Sequence, residues 1–316
     1  MEPTRVSSGS GRAHAKAILL GEHAVLYGSP ALAIPVPALA VTAQATLFAE
    51  PGEPTFLKTG ATGTTRYDCG GLRQVVTELT GGDERHRIEV TLRCEVPAGR
   101  GLGSSAACAR AAVHALADLL GRELSAQEVY DLVQVAENVS HGRASGVDAM
   151  TTGATGPLLF QEGAAQEVGI GFDGLFVLAD SGMTGSTKDA VTMVRERFER
   201  EPAARERFVG TVSGLVRSAV RDLADGDAAA VGTAMTRCHE ELRELDLSTT
   251  VIDAMARAAT SAGALGAKLS GGGLGGCLIA LVDRQETAWD VSRALLEAGA
   301  VQTWSMPAGR GVRHDG

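Results

Sequence analysis

The chain has 316 residues, a length that suggests two domains at about 150 residues each. It is 44% hydrophobic and 21% charged, enough apolar matter for packed cores and too much for a disordered chain. The balance of 29 basic against 38 acidic side chains leaves a net charge of −9, which argues against a nucleic-acid partner because phosphate neutralisation needs a basic face. An anionic small substrate would need a local positive pocket. The five cysteines, Cys69, Cys94, Cys108, Cys238 and Cys277, are odd in number, scattered and without a C-x-x-C pair. They therefore indicate neither a disulfide scaffold nor a zinc site. The first residues carry no apolar segment of signal-peptide type. The run ALAIPVPALAVTA is short of a membrane span and contains Pro35 and Pro37. The chain reads as soluble, cytoplasmic and without a membrane partner.

In chain order, residues 1–10 read as polar and loose. A strand pattern begins at Arg12 and ends at Gly21, with Arg12, His14 and Lys16 on one face. ALAVTAQATLFAE and HRIEVTLRCEV read as further strands. After Pro97 a glycine run leads into a helix whose apolar positions are Ala109, Val113, Leu116 and Leu120, with Gly121 where a C-terminal cap belongs. A second helix starts at Ser125, with Glu128 three residues on in a capping-box pattern, and its stripe is Val129, Leu132, Val133 and Ala136. SHGRASGVDAMTTGATG reads as loop, followed by short strands around PLLF and LFVLAD. From about Lys188 to Gly263 the chain is mostly charged amphipathic helix, and a strand–glycine–strand unit, GAKLSGGGLGGCLIALVD, follows. The composition shift places a domain boundary near residue 172, dividing the chain into 1–171 and 172–316.

The segment PAGRGLGSSAA follows a strand and opens a helix, which is the form of an anion cradle. Gly99, Gly101 and Gly103 allow tight turns that present N–H groups, the helix N-terminus adds its dipole, and Ser104 and Ser105 can cap, donate or reach a metal. An ordinary strand-to-helix turn with a serine cap needs fewer glycines. No Walker A pattern G-x-x-x-x-G-K-[ST] occurs. Gly101, Gly103 and Ala106 fit a dinucleotide fingerprint, but two consecutive helices follow where that fold needs a second strand and an acidic residue. Gly271, Gly273 and Gly276 fit the same pattern and lead into a strand, so this second loop reads as a place of close backbone packing.

Three further sites carry residue types suited to chemistry. Lys16, Glu22 and His23 surround a strand end; Glu137 sits at the edge of the second helix; Asp148 lies between glycines near His141 and Ser145. Singly, each has an ordinary reading: a solvated lysine, a surface glutamate, a turn aspartate bonded to its own backbone. Their significance lies in the pattern they form together.

AHAKAILLGEHAVLYGSPALA, PAGRGLGSSAA and KLSGGGLGGC resemble, in order, the three motifs of the GHMP kinases. ENVSHGRASGVDAMTTGATG and ADSGMTGSTKDAV are similar to two further stretches of the mevalonate kinases within that superfamily, and the matches run from residue 12 to about 277. Galactokinases typically carry an aspartate where Val25 stands, homoserine kinases lack the G-E-H element, and diphosphomevalonate decarboxylases do not share G-E-H-A-V. The mevalonate-kinase pattern K-x-I-L-x-G-E-H-x-V-x-x-G is met by Lys16 to Gly28. Ala144 replaces a frequent proline, Ser270 a frequent threonine, and Leu274 interrupts the glycine run; the functional groups remain.

The resemblance implies an α+β fold in two domains, an N-terminal mixed-sheet domain with the phosphate loop and a C-terminal ferredoxin-like domain. It implies transfer of a phosphoryl group from ATP to the 5-hydroxyl of mevalonate. Pro97, Gly99, Gly101, Leu102, Gly103, Ser104, Ser105 and Ala106 would bind ATP; Ser105 and Glu137 would hold Mg²⁺. Asp148 would take the proton of the substrate alcohol, with Lys16 near it lowering the alcohol's pKa. Glu22, His23 and Thr187 are the family's candidates for substrate contact, with His23 and a lysine offsetting the substrate carboxylate. The resemblance is also compatible with a homodimer. The alternatives are a GHMP kinase for a related alcohol such as phosphomevalonate, and a ligand sensor of the same fold that has lost the base; retention of Lys16, Glu137 and Asp148 speaks against the sensor.

Overall fold

The computed structural model describes residues 4–60, 63–67, 69–83, 85–142 and 144–309. The chain forms two compact units, one of Met1–Ala15, Leu39–Pro97 and Gly103–Gly153, the other of Lys16–Ala38, Ala98–Leu102 and Ala154–Gly316.

The first unit takes the early part of β1 (Arg5–Leu20) and the later part of β2 (Ala31–Phe48), with β3 (Thr55–Gly60), β4 (Gly63–Arg66) and β5 (Arg87–Cys94). Here β4 pairs antiparallel with β3, β3 parallel with β5, and β5 antiparallel with β2 from Val41↔Cys94 to Phe48↔Arg87. The sheet is therefore mixed. Its helices are α1 (Gly70–Thr80), α2 (Ser104–Leu119), α3 (Ala126–His141) and the short α4 (Val147–Thr151). The α2 stripe is buried at Ala109, Val113 and Leu116, and Gly121 follows the helix in the left-handed conformation at φ 60°. The α3 start closes as a capping box, with Ser125 accepting from the Glu128 backbone N–H and the Glu128 carboxylate accepting from that of Ser125.

Two expectations fail here. Of residues 1–10, the first three lie outside the described residues, and the chain from Arg5 on is strand, not loose. A Cβ on Gly9 would lie 2.2 Å from the Leu119 nitrogen, and one on Gly11 2.1 Å from the Ala111 carbonyl oxygen; the small, polar sequence is what lets this strand press against α2. Asp148 lies in a helical turn rather than a loop. Gly146, at φ 89°, starts that turn, and Thr151 Oγ1 donates to the Val147 carbonyl at 2.7 Å.

In the second unit the early part of β2 pairs with β6 (Leu158–Gln161), which pairs with β7 (Ala164–Glu167). Then follow β8 (Leu175–Asp180), α5 (Thr187–Arg200), α6 (Pro202–Asp225), α7 (Ala228–Glu244), α8 (Thr250–Ser261), β9 (Gly266–Ser270), β10 (Cys277–Val282), α9 (Gln285–Glu297) and β11 (Gln302–Pro307). The four strands β8 to β11 form an antiparallel sheet in the order β11-β8-β10-β9. The first and third of them are central, which is the ferredoxin-like order. β9 and β10 are buried at every position. Among the described residues no helix is long and apolar enough to cross a membrane.

Candidate functional site

The expected phosphate loop has the backbone that its glycines allow. Gly99, Gly101 and Gly103 take φ values of 68°, 74° and 67°, the left-handed region that glycine enters without a Cβ penalty. Gly103 is the N-cap of α2, and neither Ser104 nor Ser105 caps with its side chain. The first intrahelical bond runs from the Ala107 N–H to the Gly103 carbonyl. The N–H groups of Ser104, Ser105 and Ala106 precede it, at the positive end of the helix dipole.

Ser105 is instead turned toward α3, where its hydroxyl donates to Glu137 Oε1 at 2.5 Å. Glu137 is only 4% exposed, so the reading of a plain surface glutamate is wrong. Both groups are oxygen donors of the kind that hard Mg²⁺ takes. Among the described residues no cluster of three or more His, Cys, Asp or Glu side chains could hold a metal. Two oxygen ligands still fit a Mg²⁺ carried on nucleotide phosphates, since that ion keeps waters and phosphate oxygens and needs only one or two protein ligands. Asp148, half-buried, stands in the first turn of α4. Arg110 holds that helix by donating to the Ala149 carbonyl at 2.7 Å.

In the second unit Lys16 is 2% exposed and not the solvated cation its residue type suggests. Its ammonium donates to the Gly101 carbonyl at 3.0 Å, and its backbone N–H donates to the Leu102 carbonyl at 3.0 Å. The lysine thus fixes the middle of the glycine loop from β1. After Gly21 the chain turns sharply, and His23 takes φ 58°, a left-handed value that non-glycine residues seldom adopt. The His23 Nε2–H donates to the Gly272 carbonyl at 2.8 Å. Burial pushes the imidazole pKa down against that hydrogen bond, so the ring is neutral and its Nδ1 is an acceptor. Glu22 is 2% exposed and paired with Lys268, itself fully buried. Burial raises the Glu22 pKa and the Lys268 charge opposes the rise. Thr187 is exposed at the start of α5, and a Cβ on Gly272 would meet its Oγ1 at 2.8 Å. A small cleft here is lined by Arg100, Gly101, Thr187, Ser270, Gly272 and Gly273, among others.

The structure therefore joins Ser105 to Glu137 in one unit, and in the other it joins Lys16 to Gly101, His23 and Thr187 to Gly272, and Glu22 to Lys268 on β9. Sequence reasoning missed two cations. Lys268 is one. The other is Arg100, whose guanidinium Nε lies 2.7 Å from Asp180 Oδ1 and whose Nη2 donates to the Gly182 carbonyl at 2.9 Å. The available signals were a lysine inside the apolar strand GAKLS and an arginine inside a glycine run, since such charges are buried only when paired.

Comparison with known proteins bears on this geometry. The family profile described as GHMP kinases N terminal domain matches residues 71–156, and the one described as GHMP kinases C terminal matches residues 219–301. A mevalonate kinase of Pyrococcus horikoshii is 33% identical over 240 residues, covering 74% of this chain and 71% of that protein. The solved mevalonate kinase of methicillin-resistant Staphylococcus aureus aligns over 96% of this chain and 100% of its own, at 29% identity and a TM-score of 0.71. An L. major mevalonate kinase solved with R-mevalonate shares the fold at a TM-score of 0.82 and 22% identity, over 98% of this chain and 99% of its own.

Proposed function

This chain belongs to the GHMP kinase family, among its mevalonate kinases, and on that footing we propose that it transfers the terminal phosphoryl group of ATP to the 5-hydroxyl of (R)-mevalonate. The observation that carries the proposal is the contact of Ser105 with buried Glu137 directly behind a glycine loop in left-handed turns. Phosphoryl transfer asks a protein mainly to position groups and to neutralise charge. The loop from Pro97 to Ala106, including Leu102, is formed for that: N–H groups and a helix dipole face the ATP phosphates.

Ser105 and Glu137 would hold Mg²⁺, which supplies positive charge to the phosphate oxygens when bound. The Asp148 carboxylate accepts the proton that the primary alcohol must lose, as a general base. Lys16 would add fixed positive charge, which favours the ionised form of the alcohol. Glu22, His23 and Thr187 form the acceptor side. A neutral His23 with Nδ1 as acceptor suits a substrate hydroxyl better than the substrate carboxylate. This division of labour assigns the nucleotide, metal and base to residues 1–171, and Thr187 with the second glycine loop to 172–316.

The test is ADP release with MgATP, offering mevalonate, 5-phosphomevalonate, galactose and homoserine in parallel. Turnover confined to mevalonate is expected. Turnover on another alcohol overturns the acceptor assignment, and none on any of the four overturns the kinase reading in favour of a sensor.

A further inference from the structure

We infer that Lys268 is a positioning residue for the acceptor alcohol, acting through Glu22 to hold the Glu22–His23 turn in its working geometry. The inference rests on the acceptor role proposed above for Glu22 and His23, and goes beyond it by adding a residue that makes no contact with substrate.

Along residues 16 to 23 the chain is held at several polar points. Ile18 offers both its backbone groups to Ser270: the N–H donates to Ser270 Oγ at 3.0 Å, and the Ser270 hydroxyl lies 3.1 Å from the carbonyl it donates to. Lys268 stands two residues before Ser270 on β9, hence on the same face of the strand. Its ammonium meets Glu22 Oε1 and the Leu269 carbonyl, and reaches toward the Ile18 carbonyl at 3.5 Å. Directly after Ser270 the chain enters the loop whose Gly272 carbonyl holds His23. One short stretch of β9 and its loop thus fixes the strand end, the carboxylate and the imidazole. His23 keeps a left-handed backbone without being glycine, and such a conformation persists only where the surroundings impose it.

Stability alone does not account for the pair. Lys268 is 0% and Glu22 2% exposed, and a buried ion pair seldom stabilises a fold more than apolar residues of similar volume would. What it supplies is a fixed direction: the ammonium holds one oxygen of the carboxylate. Glu22 Oε1 is held by Lys268, while Glu22 Oε2 and His23 Nδ1 have no hydrogen-bond partner among the described residues. Both remaining acceptors stand on adjacent residues of the turn, and their directions are set by Lys268 and Gly272.

The experiment is a double-mutant cycle of Lys268→Met and Glu22→Gln, with mevalonate and ATP varied separately and folding followed by circular dichroism. Lys268→Met is expected to raise the KM for mevalonate by about tenfold to a hundredfold, as small displacements of positioning groups do, while the KM for ATP stays within about twofold. The double variant should be no worse than Glu22→Gln alone, because both changes remove one interaction. A folded Lys268→Met protein with an unchanged mevalonate KM overturns the inference, as do single effects that simply add. Equal loss in both KM values and kcat assigns Lys268 to stability only. If Lys268→Met fails to fold, the double variant, which leaves no charge unpaired, decides: a mevalonate KM matching Glu22→Gln supports positioning, and a wild-type value overturns it. Wild-type protein that ignores mevalonate overturns the acceptor reading instead, and the two failures are thereby told apart.

Discussion

Ser105 Oγ and Glu137 Oε1 meet at 2.5 Å, joining the first turn of α2 to the later turns of α3 across 32 positions of sequence. A carboxylate that is 4% exposed and accepts a short hydrogen bond from the Ser105 hydroxyl is costly to bury unless it has work to do, since burying charge is unfavourable. We expect Glu137→Gln to weaken the apparent affinity for Mg²⁺ by about tenfold to a hundredfold, the range seen when groups supporting a metal are removed. The KM for mevalonate should move far less. Titrating Mg²⁺ at fixed ATP separates the two. Equal losses for both substrates would assign Glu137 to folding rather than to the metal.

Asp148→Asn tests the base. The substitution preserves volume, and α4 keeps its other supports, the Gly146 start, the Thr151 hydroxyl bond and the Arg110 bond to the Ala149 carbonyl. ATP binding should therefore survive while kcat falls by about 10²–10⁴-fold, the usual contribution of a general base. Turnover near wild type would leave a mechanism of positioning and Lys16 charge alone.

Gly101→Ala addresses the loop. Gly101 sits at φ 74°, and a Cβ there would lie 2.9 Å from the Ser270 carbonyl oxygen and 3.1 Å from Gly271 Cα. The left-handed backbone alone costs an L-residue about 1–2 kcal/mol, and the backbone contacts add to it. Gly121→Ala is the control: its φ is 60°, but nothing lies within 4 Å of the added carbon. Thermal unfolding should show the larger loss for Gly101→Ala, with a raised KM for ATP in that variant only. Equal losses and unchanged ATP kinetics in both would remove the argument for close packing of the two glycine loops.

What the sequence disclosed was what neighbours in the chain decide. The capping box of Ser125 and Glu128 spans three residues and depends on little else, so the start of α3 was legible. The glycine loop was legible for the same reason. Lys268 was not, because its partner Glu22 lies 246 positions away and only the packing of β9 on β1 brings them together. Asp148 shows a different limit. A helix of five residues among glycines and threonines has too few turns for any apolar period, so only the folded backbone reveals it. Residues 5–11 show a third: their serines and glycines give no strand pattern, yet Gly9 and Gly11 are what the contact with α2 requires.

His239 gives a prediction about pH. The ring is buried on α7 beneath β9, accepts at Nδ1 from the Leu269 N–H at 3.3 Å, and faces Asp253 Oδ1 through Nε2 at 3.4 Å. Arg243 and Ser248 also bind Asp253, and the Lys268 charge acts on the ring. Burial, joined by the repulsion of Lys268 and Arg243 and opposed by Asp253, pushes the imidazole down to about 4. Unfolded, a histidine takes its proton near pH 6.5. Between those values the unfolded chain binds more protons, so stability falls as pH drops from about 6.5 to about 4 and is unaffected by this residue above 6.5. The loss should be on the order of 3 kcal/mol at the acid end. Urea unfolding from pH 7.5 to 4.5, for wild type and His239→Gln, isolates it, because the carboxylates titrate in both proteins. The variant, which has no ring to protonate, should lose less stability over that range. Parallel curves for the two proteins would mean that His239 takes its proton as readily folded as unfolded.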